Sequence, residues 1–509
     1  MSNDVGSGAT RRLSLLDASF LYMESAANPT HVGTIFILKD EIPFERLFRH
    51  VEERLHISPR FRQRLVFPPF NIARATIEDD PDFKLENHVR RHQLAKESNE
   101  QSAIKEILRL HFGRVMDRSR PLWDITLFQG LPGRSLIVFA MHHAIIDGVS
   151  AVDLLNKLMD FTPNPGPVEP PAKPWVAASL PGPGEAYVNA VRDLIVGQLE
   201  AAARTAREFL RDPTRAVEQA RLLGESARLL NEQMQAPIAM TPWNAGLAVG
   251  ERSLTWLKTP LVEYRAIRSA FGGTINDVVL TVLTEGAARY LKHHGWSTEG
   301  NFRIGCPVNV RRGDEQVVLE NRVSMMMVMT PARPLDPIER LRQITAETTR
   351  IKASGAPYAM ERVNNANDTI PPAVIAAASY ANTRQMEAMA QLIGASNWQP
   401  TPAGSAPTAT GINFVATNVP GPQTPWYFAG HEVTECIGLL PLGGNLGYGV
   451  PIVSYNQTLI FSMIANSRMV PDLDRMKALV LESFEELRDQ VPGEVRRSFA
   501  SRPQAAAAA

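Results

Sequence analysis

Cysteine is nearly missing: Cys306 and Cys436 are the only two in 509 residues. Two thiols exclude a disulfide framework and a four-cysteine zinc site, and their scarcity fits a reducing compartment. Net charge is missing too, because 53 Lys and Arg balance 53 Asp and Glu. Such a chain has no global electrostatic pull on a polyanion, which argues against nucleic-acid binding. No apolar run approaches the ~20 residues of a membrane-spanning helix, so any membrane contact is expected to be peripheral. The opening MSNDVGSGATRRLSLLD has no long apolar segment behind its arginines. It does not resemble a secretory signal, and a cytoplasmic location is expected. No phosphate-cradling glycine loop, H-E-x-x-H, C-x-x-C or G-x-S-x-G elbow occurs.

What is present is an ordinary globular composition, 44% hydrophobic and 21% charged, in a chain long enough for two cores. The periodicity predicts an α/β chain in two halves. In residues 1–162, HVGTIFIL, PLWDITLFQGL and SLIVFAMHH read as strands. IPFERLFRHVEERLH, SAIKEILRLHFGRVM and IIDGVSAVDLLNKLMDF read as helices. Residues 163–240 begin as a Pro/Gly-rich linker and turn helical from about Ala186. Residues 241–495 return to mixed α/β character, with a helix stopped at Gly272-Gly273. Residues 496–509 are expected to form a disordered tail.

One stretch carries chemistry: MHHAIIDGVS, residues 141–150. The apolar, β-prone SLIVFAM places it at the end of a buried strand, where a helix follows. Adjacent side chains of a strand point to opposite faces, so His142 and His143 cannot both face one cavity. This weakens a metal site, which needs converging ligands. Two ordinary packed histidines are the bland alternative, against which Asp147 and Gly148 stand at a fixed offset in the turn. Asp147 can order that turn through backbone N–H groups or an arginine and hold the imidazole. Gly148 permits an unusual backbone angle. His143 is then a general base, since an imidazole accepts a proton near neutrality. With no protein nucleophile in sight, one substrate must attack the other in a ternary complex.

HHAIIDG matches the HHxxxDG signature of the CoA-dependent acyltransferase superfamily, which includes chloramphenicol acetyltransferase and peptide-synthetase condensation domains. Further segments resemble the bacterial wax ester synthase/diacylglycerol acyltransferase (WS/DGAT) family. They are LSLLDASFLYMESAANPTHVG, SPRFRQRL, PLWDITLFQGL, GGTINDVVLTVL, PVNVRR with ENRVS, and TNVPGP. The sequence departs from that family's pattern at Leu15 or Leu16, Glu320 and Thr417, where proline, glycine and serine are expected.

The resemblance implies two chloramphenicol-acetyltransferase-like domains, each a mixed sheet flanked by helices, with a tunnel at their interface and His143 midway along it. It implies transfer of a long-chain acyl group from acyl-CoA, the co-substrate, to a diacylglycerol or fatty alcohol without a further cofactor. It leaves the oligomeric state open. Asn276 is its candidate oxyanion donor, with helix N-cap as the plain alternative, and Asp277 its partner or a helix-start charge. Arg60 or Arg62 is expected to pair with Asp147, and His142 to orient or pack.

Trp123 reads as core, and SMMMVM at 324–329 as a buried strand more than a channel lining. The helical stretch 186–235 carries Arg192, Arg204, Arg207, Arg211, Arg215 and Arg221, either a solvated face or a face for an anionic membrane or lipid droplet. Two rivals remain: a carrier-dependent acyltransferase of the same superfamily, and a lipid-binding protein with a dead site.

Overall fold

The computed structural model describes residues 11–25, 28–146 and 148–214, isolated positions between 217 and 231, and residues 238–245, 248, 250–309, 323–354 and 411–500. Its strands are β1 Arg11–Arg12, β2 His31–Leu38, β3 Gln63–Val66, β4 Thr76–Asp79, β5 Val89–Gln93, β6 Trp123–Leu131, β7 Arg134–His142, β8 Arg252–Pro260, β9 Asn301–Asn309, β10 Val323–Pro331, β11 Phe414–Pro420, β12 Tyr427–Phe428, β13 His431–Leu439, β14 Tyr448–Tyr455 and β15 Thr458–Asn466. Its helices are α1 Leu15–Met23, α2 Phe44–Glu52, α3 Glu100–Phe112, α4 Gly148–Leu158, α5 Pro183–Arg211, α6 Leu261–Phe271, α7 Ile275–His293, α8 Pro337–Ala353, α9 Leu473–Asp489 and α10 Gly493–Ala500.

The strands form two six-stranded mixed sheets, β12-β13-β2-β7-β6-β5 and β10-β9-β11-β14-β15-β8, and a small sheet β1-β4-β3. β7 is buried along nearly its whole length, as its unbroken apolar run requires of an inner strand. Its alternate residues feed two cores. Ile137, Phe139 and Met141 pack with Leu47 and Val51 of α2 and Leu154, Leu155 and Leu158 of α4. Leu136 and Val138 pack with Ile104, Ile107 and Leu108 of α3. The second sheet carries α6, α7, α8 and α9 over a third core. Gly286 in α7 is a close approach: a Cβ there would meet Val480 Cγ2 of α9 at 2.4 Å.

The halves interlock. β13 follows the linker by almost two hundred residues yet pairs antiparallel with β2, Leu439 opposite Gly33 and Val433 opposite Leu38. Tyr455, at the end of β14, fixes this crossing: its hydroxyl donates to the Val433 carbonyl at 2.7 Å and accepts from the Trp426 amide at 2.8 Å. A cut at residues 240/241 therefore leaves β13 on the far side from the sheet it completes. The tail expected from 496 is helical up to Ala500, in α10. Among the described residues, no helix is long and apolar enough to cross a membrane.

Candidate active site

His142 closes β7, opposite His31 of β2. The chain turns there, with the Ile145 amide donating to the His142 carbonyl at 3.1 Å. The next amide, that of His143, donates to the Thr30 carbonyl at 3.1 Å. The strand ends one residue short of the expected SLIVFAMHH, so His143 stands in the turn, where the alternation of strand faces does not govern its ring. His142 is fully buried, whereas His143 is half-buried and lies flat on Phe20 of α1, ring centroids 3.9 Å apart and planes 8° from parallel.

His142 is held by hydrogen bonds. Its Nδ1 accepts the Ala144 backbone N–H at 3.0 Å, so the ring proton sits on Nε2 in that arrangement. Nε2 faces Glu24 Oε1 at 3.3 Å and Thr30 Oγ1 at 3.2 Å. Glu24 Oε1 also accepts the Thr30 amide at 3.1 Å, and Oε2 accepts from Arg118 at 2.9 Å. Arg118 in turn donates to the Leu21 carbonyl in the last turn of α1 at 2.9 Å. Nothing in the sequence singled out Glu24, Thr30 or Arg118, which lie 118, 112 and 24 positions before His142.

Burial pushes the Glu24 carboxyl up, but the hydrogen bonds from His142, the Thr30 amide and Arg118 outweigh it and hold it at about 2, below its ordinary 4.5. A carboxyl lowered on folding adds stability that is complete above the unfolded value and is lost as pH falls through the folded one. Glu24→Gln is therefore expected to lower the thermal midpoint at pH 7, with its deficit closing between about pH 5 and pH 2. Melting both proteins across that range checks it; a deficit independent of pH contradicts it.

The other expected site residues fall as follows. Asp147 lies outside the described residues, as do Arg215 and Glu320. Gly148 is the first residue of α4. Arg60 is buried in the short 3-10 turn Pro59–Arg62. Arg62 lies over the Trp175 ring, 4.9 Å from its centroid, and so anchors the linker. Trp123 is a core residue: its indole donates to the Phe61 carbonyl at 3.0 Å and its ring stacks on His88. Met326 and Met327 of β10 are buried, in keeping with a buried strand.

Asn276 is not the cap of α7. Thr274 is, its hydroxyl accepting the Asp277 amide at 3.2 Å while Asp277 Oδ2 accepts the Thr274 amide at 2.7 Å. Thr274 outcompetes Asn276 because Asp277 then stands at N3 and closes a reciprocal capping box. Asp277 Oδ1 also accepts from Thr348 at 2.8 Å, tying α7 to α8. Asn276 is half-buried in that first turn. Among the described residues, no cluster of three or more His, Cys, Asp or Glu is arranged to hold a metal ion.

The second half reaches the motif through β11, the TNVPGP strand, which packs against α4. Trp426 donates to Asn156 Oδ1 of α4 at 3.2 Å. Gly421 passes so close to β14 that a Cβ would meet the Ser454 carbonyl at 2.7 Å. The two interlocked mixed sheets, with β11 of the second half lying against the helix that follows the histidine motif, make a condensation-domain-like fold. The fold of a starter condensation domain of rhizomide synthetase agrees, at a TM-score of 0.54 and 13% identity over 95% of this chain and 94% of that one.

The wax ester synthase/diacylglycerol acyltransferase catalytic domain matches residues 13–279, and the WS/DGAT C-terminal domain residues 319–488. The chain belongs to the WS/DGAT family and is an acyl-CoA-dependent acyltransferase. Probable diacylglycerol O-acyltransferase tgs1 of Mycobacterium tuberculosis is 28% identical over 480 residues, 91% of this chain and 93% of that one. The wax ester synthase/diacylglycerol acyltransferase of Marinobacter aquaeolei VT8 shares the fold, with a TM-score of 0.60 and 20% identity over 94% of this chain and 99% of that one.

Proposed function

We propose that the chain transfers a long-chain acyl group from acyl-CoA to the hydroxyl of a diacylglycerol or long-chain fatty alcohol, with His143 as general base and no acyl-enzyme. The observation that carries this reading is the half-buried imidazole of His143, pinned through its backbone to Thr30 and through its face to Phe20. His143 takes the hydroxyl proton as the oxygen attacks the thioester carbonyl. The tetrahedral oxyanion collapses, the C–S bond breaks, and the CoA sulfur takes the proton from His143. The Phe20 face favours the transient imidazolium, since an aromatic quadrupole attracts a cation within ~6 Å. The two substrates reach His143 from opposite sides, through a tunnel between the halves. The test is release of CoA thiol from palmitoyl-CoA given 1-hexadecanol or a diacylglycerol. Ester formed in step with thiol is expected; acyl transfer only from an acyl-carrier protein would overturn the reading.

Asn276 is the oxyanion donor of this proposal. Thr274 takes the capping task, which leaves the Asn276 amide free of that role. Removing one such donor costs about 10²–10³-fold in kcat. Asn276→Ala is expected to lose that much turnover at an unchanged thermal midpoint, and a loss under threefold contradicts the assignment.

The partner surface is a lipid–water interface, and α5 is the element that meets it. Val188, Ile195, Val196, Leu199 and Leu210 are exposed, 40–80% of each surface being open. At ~100° per residue these five fall on one stripe, with Arg192 within it and Arg207 at its edge. An apolar stripe with arginine is the pattern of an interfacial helix. Flotation with anionic vesicles is expected to carry the parent protein and to lose an Ile195→Asp/Leu199→Asp variant. Equal flotation of both excludes α5 as the contact, and loss of self-association instead identifies the stripe as an interface between copies.

A further inference from the structure

We propose that Glu24 is a positioning residue for His143, acting through Thr30, His142 and the last turn of α1. The inference rests on His143 being the base, and it concerns a residue, Glu24, that the HHxxxDG signature does not contain. The carboxylate stands at the junction of three segments far apart in the chain. Oε1 accepts the Thr30 amide at 3.1 Å and faces His142 Nε2 at 3.3 Å. Oε2 accepts from Arg118 at 2.9 Å. The side chain is 1% exposed, so its charge is neutralised by these partners and not by water.

Two of those partners lead directly to His143. Thr30 receives the His143 amide on its carbonyl. Its hydroxyl meanwhile donates to the carbonyl of Phe20 at 3.0 Å, the residue whose ring lies on the His143 imidazole. Arg118 holds the same turn from the other side, through the Leu21 carbonyl. The backbone of the imidazole and the plate beneath it are thus clamped to one carboxylate. On the other strand, His142 is fixed at both ring nitrogens, by the Ala144 amide and by the Glu24–Thr30 pair. A base must keep its nitrogen within hydrogen-bond reach of the hydroxyl it deprotonates. A displacement near 1 Å costs about 10²-fold when reacting groups are held for attack. Glu24 touches neither substrate in this scheme and acts only on geometry.

The experiment uses the full chain with palmitoyl-CoA and 1-hexadecanol. It compares Glu24→Gln, Phe20→Leu and the double variant. Glu24→Gln is expected to lose ten- to hundredfold in kcat while KM for palmitoyl-CoA stays within twofold. Phe20→Leu is expected to lose at least fivefold, and the double variant no more than the worse single change, because both act on the same ring. A Glu24→Gln loss below threefold overturns the proposal. So does a double variant whose loss is the product of the two, or a fall in kcat matched by a rise in KM, since these mark a merely structural ion pair. If Glu24→Gln is not recovered folded, Thr30→Val carries the same measurement, with at least fivefold expected and under twofold contradicting. His143→Ala with full turnover would instead remove the base, a separate outcome.

Discussion

His143→Ala is expected to lose ~10²–10⁴-fold in kcat, the span that a positioned general base contributes. The loss should fall on kcat with little change in KM for acyl-CoA, because the imidazole acts on the reacting proton. It should leave the fold intact. His143 is only half-buried, and its stacking on Phe20 adds little to a core dominated by β2, β6 and β7. His142→Ala is a different perturbation, since it strips a fully buried ring from Glu24, Thr30 and the Ala144 amide. It therefore couples lost activity to lost stability. Thiol-release kinetics and thermal midpoints on the two variants separate chemistry from support. Equal melting losses for both contradict the division of labour.

Arg340→Ala has the largest expected effect on stability. The Arg340 side chain is wholly buried in α8. Its Nε donates to Glu285 Oε2 of α7 at 2.6 Å, and its Nη1 to the Pro331 carbonyl at 2.9 Å and Thr330 Oγ1 at 3.2 Å. Glu285 is equally buried. It also accepts from Arg289 at 2.9 Å and from the Leu335 amide at 3.1 Å, and Arg289 passes on to Glu486 of α9. Removing the guanidinium leaves the buried Glu285 carboxylate with Arg289 and the Leu335 amide only and deprives the Pro331 carbonyl and Thr330 of their donor, a loss bounded by the ~3–5 kcal/mol of a fully broken buried pair. Replacing both partners, as Glu285→Leu/Arg340→Met, is expected to cost less than the single change, because no lone charge remains. Urea unfolding followed by tryptophan fluorescence measures both. A double variant less stable than Arg340→Ala contradicts the argument. Since α7 carries Asn276 in its first turn, Arg340→Ala should also reduce turnover before it unfolds the protein.

The elements with a clear period were legible in the chain. SLIVFAMHH is an inner strand because nothing polar interrupts it. LVEYRAIRSAF stops where Gly272 takes a φ of 84°, a backbone that side chains disfavour. RSLTWLKTP is β8 from its first residue to its last. Trp123 is buried in the core, as its place in the apolar PLWDITLF run led one to expect, whereas His143 falls in the turn after β7 and not on the strand.

What stayed hidden depends on distance along the chain. Glu24 reads locally as a charge just past a short helix, and only folding brings it to a histidine 118 positions later. β13 has the composition of any half-buried strand, and no local signal tells it to leave its own half and join β2. Asn276 was the natural cap by residue type, and Thr274 displaced it through a side chain three positions on. Arg62 is drawn to Trp175 by the path of a Pro/Gly-rich linker, a path its sequence does not encode locally.

Direct transfer at His143 is tested best by mixing the protein with radiolabelled palmitoyl-CoA, first without and then with 1-hexadecanol, quenching within one turnover and separating protein from lipid. The expected result is no label on the denatured protein in either case, and CoA thiol released only when the alcohol is present. Label bound covalently to the chain before the alcohol is added, with one equivalent of thiol released, would contradict it.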